Sequence, residues 1–289
     1  MSFRVLAPAT AANLGPGFDT LGLAMGLWNE VEVLPGADAR VELEGEGAEE
    51  LAADGSNLVF RTAHHVARHV GERLPPFGLR CRNEIPLERG LGSSAAAVAA
   101  GVLIADRLLR ARLTREDLLR LAVDVEGHAD NVAACLSGGL VIAYRSDEGW
   151  NVERLDPSDD LRPVVLLPET VRVATDAARK ALPADVPLSD AAFNLSRVAL
   201  SVVALTRRPE LLAVALEDRL HESSRLSLAP QSQRAFDELR RAGVPVVVSG
   251  SGPSLVAFEL EGHAVPDVLP GWRIIRLEVS GEGAHVQDG

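Results

Sequence analysis

Residues 86–97 read Pro-Leu-Glu-Arg-Gly-Leu-Gly-Ser-Ser-Ala-Ala-Ala, a glycine and serine loop that runs straight into a stretch of helix formers. A junction of this kind makes an anion site. Gly90 and Gly92 let the backbone come close to a ligand, Ser93 and Ser94 offer hydroxyls, and the free amides and positive dipole end of the following helix face the loop. Phosphate binding is the chemistry that suits it. A Gly-x-x-x-x-Gly-Lys-[ST] phosphate loop is excluded, because the chain's single lysine, Lys180, lies far from these residues. Something else has to neutralise the phosphate. A lone Gly-x-Gly before a helix is usually a plain turn and cap. A second loop, Ser249-Gly250-Ser251-Gly252-Pro253, again offers glycines and hydroxyls between apolar segments, and two such loops point to one polyanionic ligand.

Glu126 stands just before Gly127-His128-Ala129-Asp130-Asn131, a polar cluster between two apolar segments. Magnesium prefers one or two carboxylates together with phosphate oxygens and water, so Glu126 with the hydroxyl of Ser93 or Ser94 suits it. His128 is open to three readings: a base, a substrate contact, or an ordinary polar residue at a helix end. Asp130 could take a proton or orient the neighbouring backbone. His65 and His69 share a helix face, but with no third ligand in view they read as a solvated face.

These residues need a scaffold. Phe3 to Ala7 and Asn29 to Leu34 read as strands joined by a turn-rich loop holding Asn13, Gly15, Pro16, Gly17 and Asp19. Helical spacing over 57–70, a strand over 77–83 and an apolar helix over 94–112 follow. Thr114-Arg-Glu-Asp117 opens another helix, which ends near Gly127, and Gly138-Gly139 turns into a strand over 140–144. The acidic, turn-forming residues 146–160 look like the weakest connection. Beyond them come a strand over 163–167, helices over 175–182, 190–205, 209–220 and 230–242, and strands over 244–249 and 255–260. The pattern favours an α/β or α+β arrangement in two domains, 1–157 and 158–289.

A formal charge of -12 argues against nucleic acid or an anionic membrane as partner. Cys81 and Cys135 form neither a disulfide framework nor a metal knuckle and are expected to be buried and reduced. The start lacks a signal-like pattern and no segment approaches 18 uninterrupted apolar residues, so a soluble cytoplasmic protein is expected. The general frequency of symmetric pairs allows a homodimer and says no more.

Three segments together resemble the motifs of the GHMP small-molecule kinases in order and rough spacing: Pro8 to Gly22, Pro86 to Ala97, and Ser249 to Ser254. Within that superfamily the chain most resembles the homoserine kinases, through Asn13 with Asp19, Glu126 to Val132, Thr175-Asp-Ala-Ala-Arg-Lys-Ala-Leu-Pro183, Phe193-Asn-Leu-Ser-Arg197 and Leu220-His-Glu-Ser-Ser-Arg225. The resemblance implies an α+β fold of two domains: an N-terminal ATP-binding domain like the second domain of ribosomal protein S5, and a ferredoxin-like C-terminal domain that completes the substrate site. It implies ATP and Mg2+, with Arg89, Gly90, Leu91, Gly92, Ser93 and Ser94 around the phosphates, Ser94 and Glu126 on the metal, and Asn57 near the adenine.

The implied reaction is phosphorylation of the side-chain hydroxyl of homoserine on the route to threonine. Homoserine is a small zwitterion. Arg197 and Arg225 match positions for its carboxylate, Asp19 and Asn13 match positions for its ammonium, and Asn131 with His128 would sit near the hydroxyl. Thr175 is a further implied substrate contact. Ala11, Glu88 and Ala134 depart from the pattern without removing a ligand; Glu88 is expected to face solvent, paired with Arg89. The alternatives are another kinase of the superfamily, acting on mevalonate or a related alcohol, and a non-catalytic nucleotide-binding regulator.

Overall fold

The computed structural model describes residues 2–36 and 39–288. In chain order the elements are β1 (Phe3–Ala12), β2 (Leu21–Pro35), β3 (Val41–Gly45), α1 (Leu58–Val70), β4 (Phe77–Asn83), α2 (Ser93–Leu109), α3 (Arg115–Glu126), α4 (Ala129–Ser137), β5 (Leu140–Ser146), β6 (Gly149–Leu155), β7 (Pro163–Pro168), α5 (Thr175–Lys180), α6 (Leu188–Thr206), α7 (Leu212–Ala215), α8 (Glu222–Ser227), α9 (Pro230–Arg241), β8 (Val246–Val248), β9 (Leu255–Phe258), β10 (Trp272–Arg276) and β11 (His285–Asp288).

Local chemistry sets the ends of the helices that frame the site. Asn57 caps α1, its side chain accepting from the Val59 amide at 3.0 Å, and Gly71 closes the helix in the left-handed region. Thr114 and Asp117 form the expected capping box at the head of α3, and Gly127 ends it. α2 is apolar on nearly all sides and packs so closely on α1 that a Cβ at Gly101 would stand 2.5 Å from the Thr62 side chain.

The first sheet has seven strands, with the path β11-β1-β2-β4-β3 and β5 and β6 attached through β2. β2 pairs with β1 on one edge and serves two neighbours on the other. Its start, Leu21 to Leu23, pairs with β5, while Glu30 to Pro35 pair with β4. The register on β1 shifts between Pro8 and Ala9, where Gly26 and Leu27 bulge out of β2. The second sheet runs β10-β7-β9-β8, antiparallel throughout. Numbered within that domain, the order is 4-1-3-2, the arrangement of a ferredoxin-like sheet. The overall class is α+β.

Several expectations need correction. β11 returns to pair with β1, so residues 158–289 do not keep to one sheet. Residues 146–160, read as a weak connection, carry β6, which pairs with β5 along its length. The helix expected over 209–220 is only a short 3-10 turn, Pro209–Leu211, followed by α7. Past α7, Asp218 accepts hydrogen bonds from the amides of residues 220, 221 and 222, which folds the chain into a cap for α8 in place of continued helix. β3 was not foreseen.

Candidate active site

The predicted loops meet. The Ser249 hydroxyl donates to the Gly90 carbonyl at 2.7 Å, the Gly250 amide donates to the Ala12 carbonyl at 3.1 Å, and the Asn13 amide donates to the Gly250 carbonyl at 3.0 Å. Motifs more than 150 residues apart thereby share one floor. The glycines are required by this contact more than by any ligand. A Cβ at Gly90 would stand 2.0 Å from the Ser249 carbonyl oxygen, and one at Gly92 would stand 2.0 Å from Thr10 Oγ1; both residues have φ near +70°. Thr10, which sequence reasoning passed over, is buried, and its hydroxyl donates to Asn131 Oδ1 at 2.7 Å.

Above this floor lies a cleft of about 160 Å³ lined by Asn13, Asp19, Pro86, Glu88, Arg89, Gly90 to Ser94, Glu126, His128, Asp130, Asn131, Thr175, Arg179, Arg225, Gly250 and Ser251. Gly92 caps α2 without a side-chain hydrogen bond, so the first amides of that helix open into the cleft. Ser94 Oγ lies 2.5 Å from both carboxylate oxygens of Glu126. Burial raises the Glu126 carboxyl above its ordinary range, the Ser94 hydroxyl pulls it back, and the nearby Asp130 carboxylate raises it further. Burial also pushes Asp130 up to about 6, although its Oδ1 accepts from the Asn131 amide at 2.7 Å. His128 is held below its usual value by burial and by the Arg179 charge.

Three guanidiniums line the cleft, and each leaves one buried N–H without a partner: Nη1 of Arg89, and Nε of Arg179 and of Arg225. Arg89 otherwise donates to the Glu169 carbonyl at 3.1 Å, and Arg225 donates to the Gly250 carbonyl. Buried donors of positive charge lacking acceptors call for an anion. Arg179, on α5, also holds Asp19 at 2.8 Å, so the cleft carries a fixed positive and negative pair side by side.

Some expected residues stand elsewhere. Arg197 is outside the cleft: its guanidinium pairs with Glu217 at 2.8 Å and lies 4.2 Å from the Phe193 ring centre. Arg179 lines the cleft with Arg225 instead. Its motif, Thr175 to Pro183, was read as significant, but the arginine within it was not singled out. Asn57 is spent on capping α1 and on the Ala52 carbonyl, and it does not line the cleft. Gly252 forms the back of its loop, its amide donating to the Ser249 carbonyl at 2.8 Å. Asn13 has both ends of its amide occupied, since Oδ1 accepts from the Asp19 amide at 3.0 Å. Glu88 is exposed but lines the rim of the cleft, and the Arg89 expected to pair with it turns inward instead.

Residues 57–139 match the family model described as the GHMP kinases N terminal domain. A homoserine kinase from Streptomyces coelicolor is 43% identical over 98% of this chain and 94% of its own length. The chain belongs to the homoserine kinase family of GHMP kinases. A homoserine kinase from Leifsonia xyli is 47% identical over 89% of this chain and 80% of its own length. The crystal structure of homoserine kinase from Cytophaga hutchinsonii superposes with a TM-score of 0.82 at 30% identity, covering 99% of this chain and 97% of that one. A mevalonate kinase of L. major shares the fold, with a TM-score of 0.64 at 17% identity. Membership of the homoserine kinase family makes the chain a phosphotransferase and explains why a loop without lysine stands at the head of α2.

Proposed function

We propose that this enzyme transfers the γ-phosphoryl group of ATP to the side-chain hydroxyl of L-homoserine, giving O-phospho-L-homoserine and ADP in the biosynthesis of threonine. The observation that carries the reading is the convergence of Arg179, Arg225 and Asp19 beside the amino end of α2. A free amino acid needs both signs of charge, and this cleft offers both. Mevalonate has a carboxylate but no ammonium group to occupy Asp19, which disfavours the alternative within the superfamily.

Each residue has a task in this reading. The amides of Ser93 and Ser94, with the dipole of α2, hold phosphate oxygens, and the unpartnered Nη1 of Arg89 supplies positive charge that a lysine supplies in other loops. Arg225 and Arg179 grip the substrate carboxylate, and Asp19, turning from Arg179, receives the ammonium. Asn131, fixed by Thr10, faces the hydroxyl with its amide. Ser94 and Glu126 are a hard-oxygen pair without a counter-cation. Among the described residues no cluster of three or more His, Cys, Asp or Glu side chains could hold a metal, which fits an ion taking its remaining ligands from phosphate and water. Bound there, Mg2+ would neutralise charge on the transferring phosphoryl group. Phosphoryl transfer through a loose transition state needs chiefly alignment and charge neutralisation, so no base is assigned.

Release of ADP measured with homoserine and with mevalonate tests the reading directly. Turnover with homoserine alone supports it; turnover with mevalonate alone, or with neither, overturns it.

A further inference from the structure

Asp19 and Arg225 stand far apart in the chain, yet a clamp for a zwitterion needs a fixed distance between them. Asp19 ends the loop 13–19, in which Asn13, Leu14, Gly15 and Asp19 all hold left-handed backbone. Such a loop persists only where its surroundings hold it. It is held at two points. At its start the Asn13 side-chain amide donates at 3.0 Å to the Gly250 carbonyl, the oxygen that also accepts from Arg225, and Asn13 Oδ1 accepts from the Asp19 amide at 3.0 Å. At its crest Nε2 of His221 donates to the Gly15 carbonyl at 2.7 Å. His221 is the residue that precedes α8, the helix of Arg225.

His221 has no other task in the structure. The imidazole is 1% exposed, burial holds it below its ordinary range against the pull of Asp218, and Nδ1 has no partner among the described residues. A carbonyl only accepts, so the proton of the ring sits on Nε2 and goes to Gly15. Asp218 Oδ1 is 3.9 Å from Nε2, beyond hydrogen-bond reach, and Asp218 is committed to the amides of residues 220, 221 and 222 and to Asn194. The loop also packs on this segment along its length. A Cβ at Gly15 would stand 2.5 Å from the Leu216 carbonyl oxygen, and the centre of the Phe18 ring lies 5.1 Å from that of His221 and 5.4 Å from Cζ of Arg225.

We infer that His221 is a positioning residue for the substrate: by fixing Gly15 it sets where Asp19 stands relative to Arg225, and so the match of the clamp to an ammonium and a carboxylate on one carbon. The inference rests on the function proposed above. His221 does not line the cleft. It acts through a closed circuit that runs from Asp19 through Asn13, the Gly250 carbonyl, Arg225 and the first turn of α8 to His221, and returns through Gly15. Opening the circuit at His221 lets Asp19 swing from its place while the phosphate loop keeps its shape.

Methionine and glutamine have similar shapes, but only glutamine can donate to the Gly15 carbonyl. His221→Met should raise the KM for homoserine about ten-fold or more and leave the KM for ATP unchanged, whereas His221→Gln should stay close to the wild type. In an Asp19→Asn background His221→Met should add little, because the carboxylate it positions is already gone. Circular dichroism and melting temperature establish that each variant is folded. Equal behaviour of the Met and Gln variants, equal rises in both KM values, or full additivity with Asp19→Asn would overturn the inference. Should His221→Met not fold, Phe18→Leu decides: it removes the ring beside His221 from a half-buried position, and a homoserine KM left at the wild-type value would overturn the inference as well. A wild type inactive on homoserine would instead overturn the proposed function, while an active wild type beside a folded His221→Met of unchanged homoserine KM would overturn this inference alone.

Discussion

The hydroxyl of Ser94, in the first turn of α2, lies 2.5 Å from both carboxylate oxygens of Glu126, the last residue of α3. Two consecutive helices thus bring a hard-oxygen pair to the mouth of the phosphate loop. Replacing Glu126 by Gln keeps the shape and removes the charge. Turnover should fall on the order of 100-fold or more, with the fold intact. The check is kcat against magnesium concentration; near-normal turnover at limiting magnesium in a folded variant would remove Glu126 from the metal site.

Gly92→Val should damage the enzyme through its own floor. The new Cβ would strike Thr10 Oγ1, and the residue would be held at φ 71°, a region that costs a β-branched side chain on the order of 1–2 kcal/mol or more. The hydroxyl of Thr10 must then release Asn131. Calorimetry should report both a lower melting temperature and a sharp loss of ATP affinity. Unchanged nucleotide binding would return the loop to the role of a plain helix cap.

Arg225→Lys keeps the charge of the clamp and loses its planar fork. Homoserine should lose kcat/KM on the order of 10- to 100-fold, and its carboxylate-reduced analogue 2-amino-1,4-butanediol far less. Arg179→Ala should also hurt homoserine, because Arg179 lines the same cleft. Arg197→Ala should leave the KM for homoserine nearly unchanged, since that guanidinium is paired with Glu217 outside the cleft. Equal losses on homoserine and the analogue for Arg225→Lys would sink the clamp assignment, and a raised KM for Arg197→Ala would revive the position expected from sequence.

Glu222, on α8, is buried behind Arg225 and accepts from the Val248 amide at 2.8 Å; burial pushes its carboxyl up to about 8. A carboxyl whose folded pKa is raised binds its proton more tightly when folded, so the stability it contributes is present below about 4.5 and is lost as pH rises toward 8. Glu222→Gln keeps the acceptor and cannot ionise. Its stability relative to the wild type should therefore climb between pH 5 and pH 8 by an amount on the order of a few kcal/mol. Parallel pH profiles of melting temperature for the two proteins would show that Glu222 is not the group responsible.

Residue order alone carried the parts of this protein that depend on neighbours in the chain. Thr114 with Asp117 and Gly127 bound α3 through contacts within a few residues, so their roles could be read without a fold. The polar cluster from Glu126 to Asn131 was legible for the same reason, as a run of chemistry-bearing residues between apolar ones. Long-range packing decided the rest. Two arginines in quoted motifs were chemically equivalent in sequence, yet α5 aims Arg179 into the cleft beside Asp19, while the inner side of α6 commits Arg197 to Glu217 and Phe193. Thr10 became part of the site only when β1 ran beneath α4, and β11 joined the first sheet only because the chain's end returned to the free edge of β1. Such choices turn on which buried donor finds which acceptor across the fold, and no local pattern of residue types encodes that pairing.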